Sequence, residues 1–409
     1  MENIFITGLD IHKVRHLNDI SIPLSKSSRK NLIFTGKNGS GKTSVLDSVV
    51  HHLEYVVSDN FYTKDQMLEQ VQYFRDLVNK SDDSSPSQID TYKSRMLAWS
   101  DMLSHWQSGC TANYTSLAKL REKYKSGQFI IAHYSDNRKI NIAQYKNIEK
   151  VDLKPVYGIY EKPSEDLGKY LVNLKSIQAF ANTKGDVVRA EQIDEWFRRF
   201  ENILRRIYQD NSLVLDFDIE TFQFSINING REPFAFNAMS MGYAAVFEII
   251  SDLIMRMESQ HRYDLEGIVL IDEIETHLHV ELQKEIVPIL TELFPNIQFI
   301  LTTHSPFVLS SAQNAVVYDL EKNLLVEEGL TDLPYEGIVE GYFNVDLLSQ
   351  ELRKSFEEYK ILTQKSDLTD ADYAKMVELE SYLDEVPDYL ALDFAEEYNR
   401  LKVEFDSRG

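Results

Sequence analysis

The stretch that most restricts this chain is Gly36-Lys37-Asn38-Gly39-Ser40-Gly41-Lys42-Thr43, which fits G-x-x-x-x-G-K-[ST] and follows the apolar run Leu32-Ile33-Phe34. A strand that feeds a glycine-rich turn and then a helix, here expected from Ser44 to Leu53, aims backbone N–H groups at one point. The helix N-terminus adds a positive field there, so a triphosphate fits. In that geometry Gly36, Lys37, Asn38, Gly39, Ser40, Gly41 and Ser44 line the phosphates, Lys42 reaches the β- and γ-phosphates, and Thr43 holds Mg²⁺. The expectation is an α/β fold with ATP and Mg²⁺ as its ligands.

Gly267-Ile268-Val269-Leu270-Ile271-Asp272-Glu273 is a continuous apolar strand ending in two carboxylates. Parallel strands buried on both faces read this way, and ligands gather at their C-terminal ends. Asp272 is expected beside the Mg²⁺ held by Thr43. Glu273 is placed to orient and deprotonate an attacking water, a role typically worth ~10²–10⁴ in rate. A second buried strand, Asn296 to Thr303, ends at His304, which is placed to hydrogen-bond the γ-phosphate and sense its presence.

Asp272-Glu273-Ile274-Glu275-Thr276-His277-Leu278-His279, followed by Thr302-Thr303-His304-Ser305-Pro306, resembles the ABC-type ATPases of the SMC/RecF/OLD group. The resemblance implies an ABC-type P-loop head: a mixed β-sheet core, an N-terminal antiparallel β portion, a helical lid insertion and a C-terminal helical tail. It makes Asp272 and Glu273 the Walker B pair, Glu275–His279 the D-loop region and His304 the switch histidine. The D-loop reading accounts for His277 and His279 without zinc. The signature segment of the group corresponds to Met239-Ser240-Met241-Gly242-Tyr243, opening a helix expected from Ala244 to Met257. It departs from L-S-G-G-Q, with Met241 for a glycine and Tyr243 for the glutamine, but keeps S-x-G. By this resemblance Ser240 and Gly242 of one chain close over Lys42 and Glu273 of another, giving a homodimer or higher homo-oligomer held by ATP. Arg15 resembles the arginine the group places near adenine, and Arg138 falls near the nucleotide or the lid.

The remaining sequence reads as inserts and flanks around that core. Residues 1–53 form the N-terminal lobe, with strands at Asn3–His12, Ile20–Leu24 and Leu32–Thr35. In 54–127 the stripes Met67, Val71, Phe74, Val78 and Tyr92, Met96, Trp99, Leu103, Trp106 read as a helical hairpin around a turn at Ser81–Pro86, with a third helix near Ser116–Tyr124. The core resumes over 128–330 with a strand at Gln128–Tyr134, an amphipathic helix at Glu191–Tyr208, and a strand pair at Leu213–Ile219 and Phe222–Ile228. The helix turns Ile193, Trp196, Phe197, Phe200, Leu204 and Ile207 inward. Residues 331–409 read as acidic amphipathic helices at Leu347–Leu362, Ala371–Leu383 and Leu390–Phe405.

Net charge is −22, and 331–409 holds 20 Asp and Glu against 8 Lys and Arg. Nucleic-acid binding needs phosphate neutralisation by Lys and Arg, so the C-terminal region is a poor DNA surface. Arg198, Arg199, Arg205 and Arg206 form the best local candidate, with a solvated helix face as the alternative. Cys110 is the only cysteine, which suits a thiol in a reducing cytoplasm and excludes a disulfide. No apolar run approaches a membrane span.

Motif order, helical insert and tail look most like ATPase subunits of bacterial anti-phage systems of the Septu and PARIS kind. The tail is too short for the Toprim nuclease of several OLD-like ATPases, so a nuclease effector is expected as a separate chain. Two other readings stay open: a DNA repair or chromosome-maintenance ATPase, and a nucleotide-gated scaffold with little turnover.

Overall fold

The structure, a computed structural model, describes residues 3–80, 85–138, 142, 148–327, 350–365, 367–384, 398, 400–403 and 405. It divides into two compact units, Met1–Asp332 and Leu333–Gly409.

The first unit is built on a six-stranded sheet ordered β11-β10-β3-β9-β8-β5. Its strands are β3 (Asn31–Thr35), β5 (Phe129–Tyr134), β8 (Glu266–Ile271), β9 (Ile297–Thr302), β10 (Ala315–Asp319) and β11 (Leu324–Val326). All neighbours are parallel except β10 and β11. Every residue of β3, β9 and β10 is buried, the pattern of strands covered on both faces. Because β9 lies between β3 and β8, the segments following all three strands emerge side by side at one edge.

A three-stranded antiparallel sheet joins β1 (Ile6–Val14), β2 (Leu17–Pro23) and β4 (Cys110–Tyr114) in the order β2-β1-β4. Buried Gln298 ties it to the main sheet: its side-chain carbonyl accepts from Ile6 N at 2.7 Å, and its amide donates to Ile6 O at 3.0 Å. The insertion expected to be wholly helical thus contributes β4, which pairs with β1. Helices α2 (Lys64–Asn79) and α3 (Pro86–Gln107) precede that strand, and α4 (Leu117–Lys125) follows it. The Ser81–Pro86 turn lies mostly outside the described residues.

Helix α1 (Lys42–Val57) buries Val45, Leu46, Val49, Val50, Leu53 and Val56, which join the core of both sheets. Helices α5 (Leu167–Lys184) and α6 (Val187–Tyr208) precede the hairpin β6 (Val214–Asp218) and β7 (Gln223–Asn227). Helix α7 (Met241–Glu258) is buried over most of its length, with Phe247 stacked on Phe236 at 5.2 Å. Helices α8 (Val280–Leu293) and α9 (Pro306–Ser311) flank β9 in sequence. No helix among the described residues is long and apolar enough to cross a membrane.

In the second unit α10 (Gln350–Gln364) and α11 (Asp370–Leu383) bury Phe356, Tyr359, Met376, Leu379 and Leu383 with Tyr398 and Leu401. The segment expected as a third helix, Leu390–Phe405, lies largely outside the described residues.

Candidate functional site

The phosphate loop turns from β3 into α1 through backbone shapes that side chains disfavour. Gly36 has φ 129°, and a Cβ there would stand 2.9 Å from Ser40 Oγ and 3.3 Å from Asp319 Oδ1. Gly41, φ 101°, is the N-cap of α1 and has no side chain to accept from its first turn. The N–H groups of that turn are left open to an external acceptor. Lys42 is 5% exposed, and its ammonium donates to Gly36 O at 2.8 Å and Lys37 O at 3.2 Å. Burial pulls its pKa below the usual lysine value, against the fields of Glu273, Glu275, Asp272 and Asp319. The hydroxyls of Thr35 and Ser40 are buried without a partner. An ammonium, open N–H groups and orphaned hydroxyls make a donor set that fits a polyphosphate.

Opposite the loop, β8 delivers two carboxylates. Thr43 Oγ1 donates to Asp272 Oδ1 at 3.3 Å, and Thr302 Oγ1 donates to the same oxygen. A hydroxyl and a carboxylate side by side are hard oxygen donors of the kind Mg²⁺ takes. Glu273 follows at φ 43°, with its N–H bonded to Thr302 Oγ1 at 2.7 Å. Its carboxylate accepts from Thr276 Oγ1 at 3.3 Å and lies 3.8 Å from His304 Nε2. His304 Nε2 is also 3.6 Å from Glu275 Oε1, while its backbone N–H donates to that oxygen at 2.6 Å. His304 Nδ1 is buried without a partner.

The structure therefore brings Lys42, Thr43, Asp272, Glu273 and His304 to one edge of the sheet. Sequence reasoning passed over Thr302, which bonds both Asp272 and Glu273. Its signal was its position at the end of β9, two residues before His304.

Ser240 is the exposed N-cap of α7 and makes no side-chain bond to its own helix. Gly242 packs against the D-loop segment, where a Cβ would stand 2.8 Å from His277 O. Tyr243 stacks on Tyr208 at 4.1 Å. Arg15 is exposed at φ 53° in the β1–β2 turn. It does not line the cleft of about 540 Å³ beside the phosphate loop, whose walls are His16, Leu17, Asn18 and Ile20 facing Lys37, Asn38 and Ser40. Arg138 is 3% exposed and bonds the main chain behind Asp272 and Glu273, at 2.8 Å to each carbonyl oxygen.

Arg198, Arg199, Arg205 and Arg206 of α6 each face a carboxylate. Arg198 lies 3.4 Å from Asp194, Arg199 3.1 Å from Glu195 and Arg205 2.7 Å from Glu201. Arg206 bridges Glu285 and Glu292 at 3.0 and 3.1 Å.

A mostly parallel sheet, a glycine loop leading into α1 and a carboxylate pair at the end of β8 give the arrangement expected of a P-loop head. Residues 121–310 match the family model described as AAA domain, putative AbiEii toxin, Type IV TA system. The chain is 24% identical over 372 residues to the Septu protein PtuA of Bacillus mycoides (strain KBAB4), covering 88% of this chain and 47% of that protein. It is 42% identical over 101 residues to the Retron Vc95 probable ATPase of Vibrio cholerae serotype O1 biovar El Tor, covering 23% of this chain and 20% of that one. An SMC head solved bound to the C-winged helix domain of ScpA aligns with a TM-score of 0.38 and 13% identity, over 77% of this chain and 94% of that one. Over these stretches the chain is similar to ATPases of anti-phage systems. It spans about half or less of the length of the curated relatives it matches.

Proposed function

We propose that this chain binds Mg-ATP at the loop Gly36–Thr43 and hydrolyses it between two copies, and that this cycle controls a separate effector in cytoplasmic anti-phage defence. The observation that carries the reading is the convergence of Thr43, Asp272, Glu273 and His304 beside the buried Lys42. Lys42 and the first turn of α1 hold the phosphates and neutralise their charge. Thr43 and Asp272 would hold Mg²⁺, which supplies further positive charge to the phosphate oxygens. Glu273 orients the attacking water and accepts its proton. His304 donates from its ring to the terminal phosphate, with Glu275 fixing its backbone.

The exposed Ser240 at the head of α7 is free to meet phosphate on a second copy, which is why isolated chains are expected to turn over slowly. A nuclease is the effector class we favour, and the acidic 331–409 region suits docking of a basic protein. The carboxylate partners of Arg198, Arg199, Arg205 and Arg206 favour this reading over one in which α6 grips DNA.

Glu273→Gln is expected to keep ATP binding and lose turnover by ~10²-fold or more, while accumulating an ATP-dependent dimer seen by light scattering. Lys42→Ala is expected to lose nucleotide binding. An unchanged rate in Glu273→Gln would remove the assigned chemistry and leave a nucleotide-gated scaffold. Proteins that copurify from the native host with and without ATP test the effector.

A further inference from the structure

Glu273 carries its carboxylate on a backbone that non-glycine residues avoid, with φ 43°. Such a conformation persists only where the surroundings hold it. Thr302 secures one end, accepting the Glu273 N–H at 2.7 Å. The other end is held by Arg138, from the segment just after β5. Its guanidinium donates to Asp272 O at 2.8 Å, Glu273 O at 2.8 Å and Ile274 O at 3.3 Å, and also to Ser135 O at 3.1 Å. One side chain thus gathers three consecutive carbonyls across the Walker B turn, the fan of donors for which the planar guanidinium is suited.

Among the described residues the hydrogen bonds of the Arg138 guanidinium all go to main chain. Arg138 Nε is buried with no hydrogen-bond partner among the described residues.

We propose that Arg138 is a positioning residue: its hydrogen bonds to the Asp272, Glu273 and Ile274 carbonyls fix the left-handed turn at Glu273 from behind. The inference rests on the ATPase reading of the site. It places the support of the Glu273 turn on a side chain from the segment after β5, outside both the phosphate loop and β8.

The test compares full-length wild type, Arg138→Ala and Arg138→Lys by steady-state ATPase and by titration with a fluorescent ATP analogue. Loss of Arg138 is expected to lower kcat by about 10–100-fold, the scale of a small misplacement of a catalytic group, with nucleotide affinity changed less than about threefold. Arg138→Lys, a single ammonium in place of the fork, should recover part of kcat. Should Arg138→Ala fail to fold, Arg138→Lys decides: a reduced kcat at unchanged affinity supports the proposal, and a wild-type kcat overturns it. Equal losses of kcat and affinity also overturn it. A wild-type chain with no turnover sinks the ATPase reading itself, whereas turnover shared equally by wild type and Arg138→Lys sinks this proposal alone.

Discussion

A methyl group at position 242 would stand 2.8 Å from the carbonyl oxygen of His277. The obstacle is main chain, and His277 is already at φ 68°, so it has little freedom to retreat. Gly242→Ala is therefore expected to push the head of α7 away from the D-loop segment. ATP binding by the isolated chain should hold within about threefold, while turnover falls ~10-fold or more; an ATPase assay beside a nucleotide titration checks both, and wild-type turnover would show the contact to be dispensable. At this scale the site divides by how local its signals are. Gly36 to Thr43, Asp272 and Glu273 were legible because each cluster is contiguous and its neighbours form the strand or helix that positions it. Thr302 and Arg138 were not, since their meaning lies in hydrogen bonds to residues 29 to 136 positions away. Arg15 was read from its place in a turn, and the structure sets its neighbours His16, Leu17 and Asn18 against the cleft instead.

Helix α7 shows what an element can hide from sequence. Its buried face carries Asp252 and Arg256, 0% and 4% exposed in their side chains and 2.7 Å apart. Tyr134 OH also donates to Asp252 Oδ2 at 2.7 Å, and Arg256 donates to Gly158 O at 3.1 Å, so the pair is satisfied from three segments. Asp252→Ala would strand a buried guanidinium and is expected to cost about 3–5 kcal/mol in chemical denaturation. The apolar double replacement Asp252→Leu with Arg256→Met should recover most of it; failure to do so would mean the network matters beyond charge pairing. The short strand β4 escaped sequence reading because Cys110–Tyr114 lies between helices and pairs with β1, about a hundred residues earlier. Its junction to α1 is polar: buried His52 accepts from Ala112 N at 3.1 Å through Nε2. Burial, helped by nearby His12, lowers the His52 pKa from 6.5 to about 4. The neutral ring is the folded form, so its contribution is intact above pH 6.5 and is lost as pH falls from there toward 4. That gap corresponds to roughly 3 kcal/mol at most. His52→Gln keeps an acceptor without titrating, and should flatten the stability profile between pH 7 and 5; an unchanged acid slope would exclude His52 as its source.

Among the described residues, two hydrophobic cores share no residue. The first runs through Leu32, Phe34, Val45, Leu46, Ile268 and Ile300 beneath the phosphate loop. The second gathers Phe356, Tyr359, Met376, Leu379 and Leu383. The helices of the second were legible from their apolar spacing, because two short helices meeting through one stripe each leave a regular pattern. How the inserts of the first unit join its sheets was not, because those contacts are between distant segments. Tyr359 is fully buried, donates its hydroxyl to Glu380 at 2.7 Å and packs on Tyr398 at 5.3 Å between ring centres. Tyr359→Ala removes that ring from a small core and is expected to cost about 3–5 kcal/mol there, enough to melt a unit of this size. Calorimetry should lose or lower one transition while the transition of the P-loop unit stays in place. Nucleotide affinity should remain within about twofold of wild type, since the core around Tyr359 shares no residue with the one beneath the phosphate loop. A fall in affinity of more than about tenfold would show instead that the acidic helical unit supports the nucleotide site, and the two cores would then have to be treated as one cooperative structure.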